Sequence, residues 1–310
     1  MLLRTALEVA EQNGNDYAFA TTQSDLGNVY QNEDRLYEAE QAYAKALSIF
    51  RRISDNYQVA VVLLDLGVTY SFEGRYSEAL RVLNEARKLK TKNTPDEQAL
   101  SVRILNSLAI VHFRRGKLKI AETLLDQARA IRSLGKGDSD LTDAQILSNL
   151  GAVYQGQRRY GKAEESYKRS LEITEQRLGP SHPDLQLTLV NLGDLYTNLR
   201  RYSEAEAQYR RSLTILEQLS PALDGRVVRT LRALGKTLIA EGEKTKAESV
   251  LSRAVEIARR NPEREPEMPT LLDTYADVLK SMGKIQEAQE LHAEARRRRA
   301  MKALTVPVLK

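Results

Sequence analysis

The chain has 310 residues, 42% of them hydrophobic, with 47 Lys and Arg against 42 Asp and Glu for a formal net charge of +5, and it contains neither cysteine nor tryptophan. Without cysteine there is no disulfide framework and no thiolate metal ligand, and so even a charge balance argues against the concentrated basic face of a dedicated nucleic-acid binder. No stretch approaches the roughly 18 apolar residues of a membrane span, and Met1–Ala10 carries Arg4 and Glu8 where a secretory signal would run uninterrupted, so a cytoplasmic chain is expected.

In chain order, residues 1–12 form one predicted helix, closed by the turn signal Asn13-Gly14-Asn15. Helix pairs are predicted at 16–32 and 36–53, 57–72 and 76–91, 96–114 and 118–133, and 141–156 and 160–177. Three more follow at 184–198 and 202–219, 223–241 and 244–260, and 268–281 and 285–300. Asp16, Asp140 and Asp184, with Ser77 or Ser203 at the inner turns, supply N-cap chemistry. Pro95, Pro183, Pro221 and Pro269 stand at or near first helical turns, where a missing N–H costs nothing. The segment Met301–Lys310 follows the run Arg296–Arg299 without a repeat partner and is expected to be a disordered end or a short folded-back cap.

Length alone predicts about two globular domains, but the pairs recur at a nearly constant interval, the mark of a solenoid. One reference slot is filled by Leu26, Leu66, Leu108, Leu150, Leu192, Leu234 and Tyr275. Four residues on come Tyr30, Tyr70, His112, Tyr154, Tyr196, Leu238 and Leu279. Thirteen on, every copy has alanine, from Ala39 to Ala288; seventeen on come Tyr43, Leu83, Leu125, Tyr167, Tyr209, Leu251 and His292. Twenty on, Ala46, Ala86, Ala128, Ser170, Ser212, Ala254 and Ala295 are all small. The last three slots are four and three apart, so they share one face of the second helix, where small residues let the two helices approach. Eight after the reference, Gly74, Gly116, Gly242 and Gly283 mark the turn, where glycine adopts a left-handed backbone cheaply.

This pattern, as in Leu192-Gly193…Tyr196…Ala205…Tyr209…Ser212, resembles the tetratricopeptide repeat over roughly residues 16–300, in seven copies. The period of about 42, with LGPSHPDL at Leu178–Leu185 leading into LVNLGDLY, resembles the long repeat of kinesin light chains. The resemblance implies an all-α, right-handed superhelical solenoid of antiparallel hairpins. The expected organisation is one array over 1–300, with repeats at about 16–55, 56–94, 95–137, 138–180, 181–221, 222–264 and 265–300, and a tail at 301–310. ALEVA at 6–10 parallels ALSIF at 46–50, so residues 1–15 are expected to be the second helix of a truncated repeat, and the chain a fragment or one that starts mid-array.

Nothing in the sequence points to an enzyme, a cofactor or a metal. His112 and His292 occupy aromatic or leucine slots of the repeat, and His182 lies in the Pro180–Pro183 linker. There is no HExxH, Walker, GxSxG or GxGxxG motif. Paired carboxylates such as Glu164/Glu165 and Glu204/Glu206 stand beside Lys and Arg on second helices, as solvated surface does.

A binding role has better support. In relatives of this repeat the first helices line a concave surface, and the slots at −5, −2, −1, +2 and +5 meet a bound peptide. An asparagine at −1 donates to and accepts from an extended backbone at once, and only Asn149 and Asn191 supply it. With Gln145 and Ser148, and with Gln155, Thr197 and Asn198 nearby, they form a polar, nearly uncharged patch; the alternative is that they hydrogen-bond between neighbouring helices. Arg229, Arg232 and Lys236 lie on one face of the next first helix and suit an acidic segment or a terminal carboxylate. The alternative there is an ion-pair ladder, Lys236 with Asp194 or Asp277 and Arg232 with Asp273. Asp25, Asp65, Glu33 and Asp34 tilt the first two repeats acidic, a polarity that would orient a partner of opposite charge.

The expected function is therefore a protein-interaction scaffold that binds an extended peptide or a partner helix in the concave groove, through Gln145, Ser148, Asn149, Asn191, Asp194, Arg229, Arg232 and Lys236. Two other readings stay open: a regulatory or sensor module of a larger protein with a separate effector domain, and a basic adaptor whose Arg296–Arg299 end touches nucleic acid. Self-association through the unpaired N-terminal helix is a further expectation.

Overall fold

The computed structural model describes residues 2–89, 94–134, 140–219, 225–260 and 267–305, and among these it is all helix and turn. Two compact units divide the chain at residues 138 and 139. The first holds α1 (Leu2–Gln12) and three hairpins: α2 (Asp16–Asn32) with α3 (Leu36–Arg52), α4 (Asn56–Phe72) with α5 (Tyr76–Lys88), and α6 (Pro95–Arg114) with α7 (Leu118–Leu134). The second holds four: α8 (Leu141–Gly156) with α9 (Tyr160–Leu178), α10 (Leu185–Asn198) with α11 (Tyr202–Leu219), α12 (Gly225–Glu241) with α13 (Lys244–Arg260), and α14 (Met268–Ser281) with α15 (Ile285–Thr305). No described helix is long and apolar enough to cross a membrane.

The repeat slots explain the hairpins. The alanine thirteen after the reference is fully buried in six copies and 2% exposed at Ala288, because it lies where the paired helices meet. In five of the seven copies a glycine follows the reference leucine, and it faces the residue seventeen after the reference. At Gly193 an added Cβ would stand 2.7 Å from the Tyr209 ring, and at Gly151 2.5 Å from the Tyr167 ring. The ring of the second helix fills the space a Cβ would need, so hydrogen is the side chain that fits at these two positions. The inner turn takes a positive φ in all seven hairpins, at Asp34, Gly74, Gly116, Arg158, Arg200, Gly242 and Gly283. Three copies therefore hold an ordinary residue in the left-handed region that glycine occupies at less cost.

Several helix ends differ from the sequence expectation. α2 is capped by the Asn15 side chain, which accepts from Ala18 N at 3.0 Å, one residue before Asp16. Asp140 caps α8 as expected, in a reciprocal box with Asp143, and Thr94 forms the same box with Glu97 ahead of Pro95. Asp184 holds the N-cap position of α10 without a side-chain bond. Ser77 and Ser203 lie inside α5 and α11, because the position before the inner helix belongs to an arginine, as at Arg35, Arg75 and Arg159. α5 stops at Lys88, with Leu89 extended. α15 continues to Thr305, five residues into the segment expected to be a tail, since Ala300, Met301, Lys302, Ala303 and Leu304 are good helix formers. Pro221, the start expected at 223 for α12, and the last five residues of the tail lie outside the described residues.

Within each unit the first helices of successive hairpins touch: α2 with α4, α4 with α6, α8 with α10, α10 with α12 and α12 with α14. Successive second helices barely meet. The first helices therefore form the inner surface of each stack. Side chains bond across it, as in Gln31 Nε2 to Thr69 Oγ1 at 2.9 Å, Ser148 with Thr188 at 2.9 Å, and Thr197 with Thr237 at 2.7 Å.

Candidate binding surface on the first helices

All eight residues singled out in the sequence fall in the second unit, on α8, α10 and α12, which lie side by side. They differ in what holds them. Ser148 is buried and shares a hydrogen bond with Thr188, so it belongs to the floor between α8 and α10. Asp194 accepts a hydrogen bond from the Tyr209 hydroxyl at 2.6 Å. Burial raises its pKa above the usual aspartate value, while that hydroxyl and the charges of Lys236 and Arg232 pull it back down. Arg232 is paired with Glu267, the N-cap residue of α14. Asp273, set opposite Arg232 in the sequence-based ladder, is held instead by His292 Nδ1 at 2.8 Å and by Arg299.

Gln145, Asn191, Arg229 and Lys236 behave otherwise. Gln145, Arg229 and Lys236 are exposed and Asn191 is half-buried, and among the described residues none of the four makes a side-chain hydrogen bond or ion pair. Asn149 is half-buried and has a partner. The surface therefore combines Ser148, Asp194 and Arg232, whose polar groups are engaged, with amide and cationic side chains that have no partner among the described residues. Of the residues near the patch, Gln155 accepts from the Tyr167 hydroxyl at 3.0 Å and Thr197 faces Thr237, so both are occupied internally.

One exposed residue of this surface is not among those singled out in the sequence. Leu187, in the −5 slot between Gln145 and Arg229, is 60% exposed and adds an apolar foothold to the polar row. Its signal was an apolar residue at a phase that faces away from the core. The histidines do not converge. Burial and nearby Arg115 lower the pKa of His112, whose Nδ1 is buried without a partner, and His182 Nδ1 accepts from Asp184 N at 3.2 Å. Among the described residues no group of three or more His, Asp or Glu side chains is placed to hold a metal.

A stack of helix hairpins with a fixed alanine at the crossing and an inner surface of first helices defines a helical-repeat protein. Family models of the tetratricopeptide repeat match residues 18–92 and 142–218, and residues 101–136. The chain belongs to the tetratricopeptide repeat family. No curated protein matches it. Among solved structures, BtubC (BKLC) from P. vanneervenii is 24% identical over 77% of this chain and 94% of that one, with a TM-score of 0.65. A putative kinesin light chain repeat protein from Podosopora anserina is 21% identical over 69% of this chain and all of that one, with a TM-score of 0.58. The APC/C hetero-tetramer Cut9-Hcn1 is 16% identical over 89% of this chain and 46% of that chain, with a TM-score of 0.68. The repeats share the fold of the long, kinesin-light-chain-like kind.

Proposed function

We propose that the chain is a protein-interaction scaffold and that α8, α10 and α12 bind an extended peptide or a partner helix. One observation carries this reading: among the described residues Gln145, Asn191, Arg229 and Lys236 stand unpaired on adjoining helices, beside Ser148, Asp194 and Arg232, whose polar groups are engaged. Polar groups that only hold helices together are expected to be paired, as Ser148 and Thr188 are. Asn149 and Asn191 would hold the peptide backbone, Leu187 an apolar side chain, and Arg229 and Lys236 a carboxylate. Ser148, Asp194 and Arg232 keep the helices in register beneath the ligand.

The test compares partners captured by the intact chain with those captured by an Asn191→Ala/Arg229→Ala/Lys236→Ala variant. All three side chains lack partners among the described residues, so helical circular dichroism is expected to be unchanged. Loss of a specific protein from the folded variant supports the groove and names the partner. An identical partner list removes this surface from the account.

A further inference from the structure

The first unit carries a second inner surface of different chemistry. α4 is apolar on nearly every side, a composition expected of a helix covered all round. Its inner face is nevertheless open. Val61, Asp65, Val68 and Phe72 follow one another at spacings of four, three and four residues, so they form one stripe. Val61 and Val68 are half-buried, and Phe72 is 66% exposed. Elsewhere in the slot of Phe72 stand Asn32, Arg114, Gly156, Asn198, Ala240 and Ser281, so a large aromatic ring there has no counterpart in the other repeats.

In the middle of this stripe is a carboxylate that the fold leaves poorly served. The Asp65 side chain is only 14% exposed, and its one partner among the described residues is Arg103, at 3.8 Å and itself 58% exposed. Asp194, comparably enclosed on α10, receives a hydroxyl at 2.6 Å; Asp65 receives none. On α2, which touches α4, Asp25 is exposed and without an ion pair among the described residues. A nearly buried carboxylate without a donor is costly unless a cation meets it, and the apolar groups around it would make such a pair stronger than one in open water.

We propose that the inner face of α4 seats a partner segment in which one lysine or arginine is flanked by apolar side chains, the cation lying against Asp65 with Asp25 beside it, and the apolar groups covering Val68 and Phe72. The inference rests on the reading that the first helices bind protein segments. It places on the first unit a site opposite in charge preference to the Arg229 and Lys236 surface.

Labelled octapeptides with leucine and phenylalanine around a central lysine, norleucine or glutamate, carried on soluble glycine-serine ends, test it by fluorescence anisotropy with the full chain. The lysine peptide is expected to bind at least tenfold more tightly than the norleucine peptide, and the glutamate peptide least. Asp65→Asn should bring lysine and norleucine to equal affinity without lowering the thermal midpoint. Phe72→Ala should weaken both while keeping their ratio. Equal binding of lysine and norleucine by the unaltered chain, or a lysine preference that survives Asp65→Asn, overturns the proposal. The Arg229→Ala/Lys236→Ala substitutions should leave the ratio unchanged, so failure of the second-unit groove and failure of this site are told apart.

Discussion

At Gly193 the helices of a hairpin leave no space for a methyl group. An added Cβ would lie 2.7 Å from Tyr209 Cε1 and 2.8 Å from Cζ, and that ring is 1% exposed, with its hydroxyl on Asp194. The ring has nowhere to go, so Gly193→Ala is expected to destabilise the protein by about 1–2 kcal/mol, overpacking outweighing the helix propensity that alanine gains. Gly161, exposed near the start of α9, has nothing within 4 Å of its added Cβ. There the same substitution should stabilise by up to about 1 kcal/mol. Urea unfolding of both variants checks the opposite signs. Asp65 adds a pH dependence. Burial pushes its pKa up to about 6, against the attraction of Arg103. The native state then binds this proton more tightly than the unfolded chain, so between about pH 4 and pH 6 stability falls as pH rises, and above that range the group contributes a constant penalty. Asp65→Asn should flatten that slope and be more stable at pH 7, by on the order of 2 kcal/mol, with the gain vanishing near pH 4. A variant no more stable than the original at pH 7 would refute this account of Asp65. The aspartate was visible in the sequence as a groove position, but its burial was not, because burial depends on how the neighbouring hairpins close around α4.

At the scale of the element, the inner turn and the preceding hairpin are joined by one recurring cluster. Arg75 lies over the Tyr70 ring at 4.2 Å and reaches back to Glu40 of the preceding hairpin at 2.8 Å, while the Tyr70 hydroxyl bonds to the same carboxylate at 2.8 Å. Arg201, Tyr196 and Glu164 repeat it, with the ring at 4.2 Å and the carboxylate at 2.8 Å. Arg201, ahead of Lys168 and Tyr196, holds Glu164 down at about 2 against the opposing effect of burial. Lys284 meets Glu248 in the same relation without the aromatic ring. A double-mutant cycle of Arg75→Ala and Glu40→Ala should give a coupling of about 0.5–1 kcal/mol. It should shrink in 1 M salt, where charges are screened within roughly 3 Å, and fade at acid pH as Glu40, whose pKa Arg75 holds down, becomes protonated. A coupling near zero in dilute buffer would make the cluster ornamental. The tyrosines and the turn were legible in the sequence. The arginine's role was not, because its two partners come from different repeats and no single window of sequence contains both.

For the whole molecule, each hairpin packs on its sequence neighbours within its unit, as the repeat pattern requires. Helix number and pairing were readable because the alanine and reference slots recur seven times, and sterics allow little else at a helix crossing. Among the helix ends that departed from expectation, Lys88 in α5 and Thr305 in α15 lie beyond the last repeat slots, Ala86 and Ala295, where the pattern no longer constrains the chain. The eight candidate residues were correctly placed on adjoining first helices, yet their equivalence was an illusion of slot numbering. Ser148, Asp194 and Arg232 are engaged by Thr188, Tyr209 and Glu267, whereas Gln145, Asn191, Arg229 and Lys236 have no such partner among the described residues. Periodicity by itself determined the all-α repeat fold and the face on which binding is to be sought, since buried slots repeat along the chain and a one-dimensional pattern records them. Which polar groups are satisfied, which carboxylate is stranded among apolar side chains, and which aromatic ring stands uncovered was decided only by tertiary structure, because those properties depend on atoms contributed by neighbouring helices some 40 residues away.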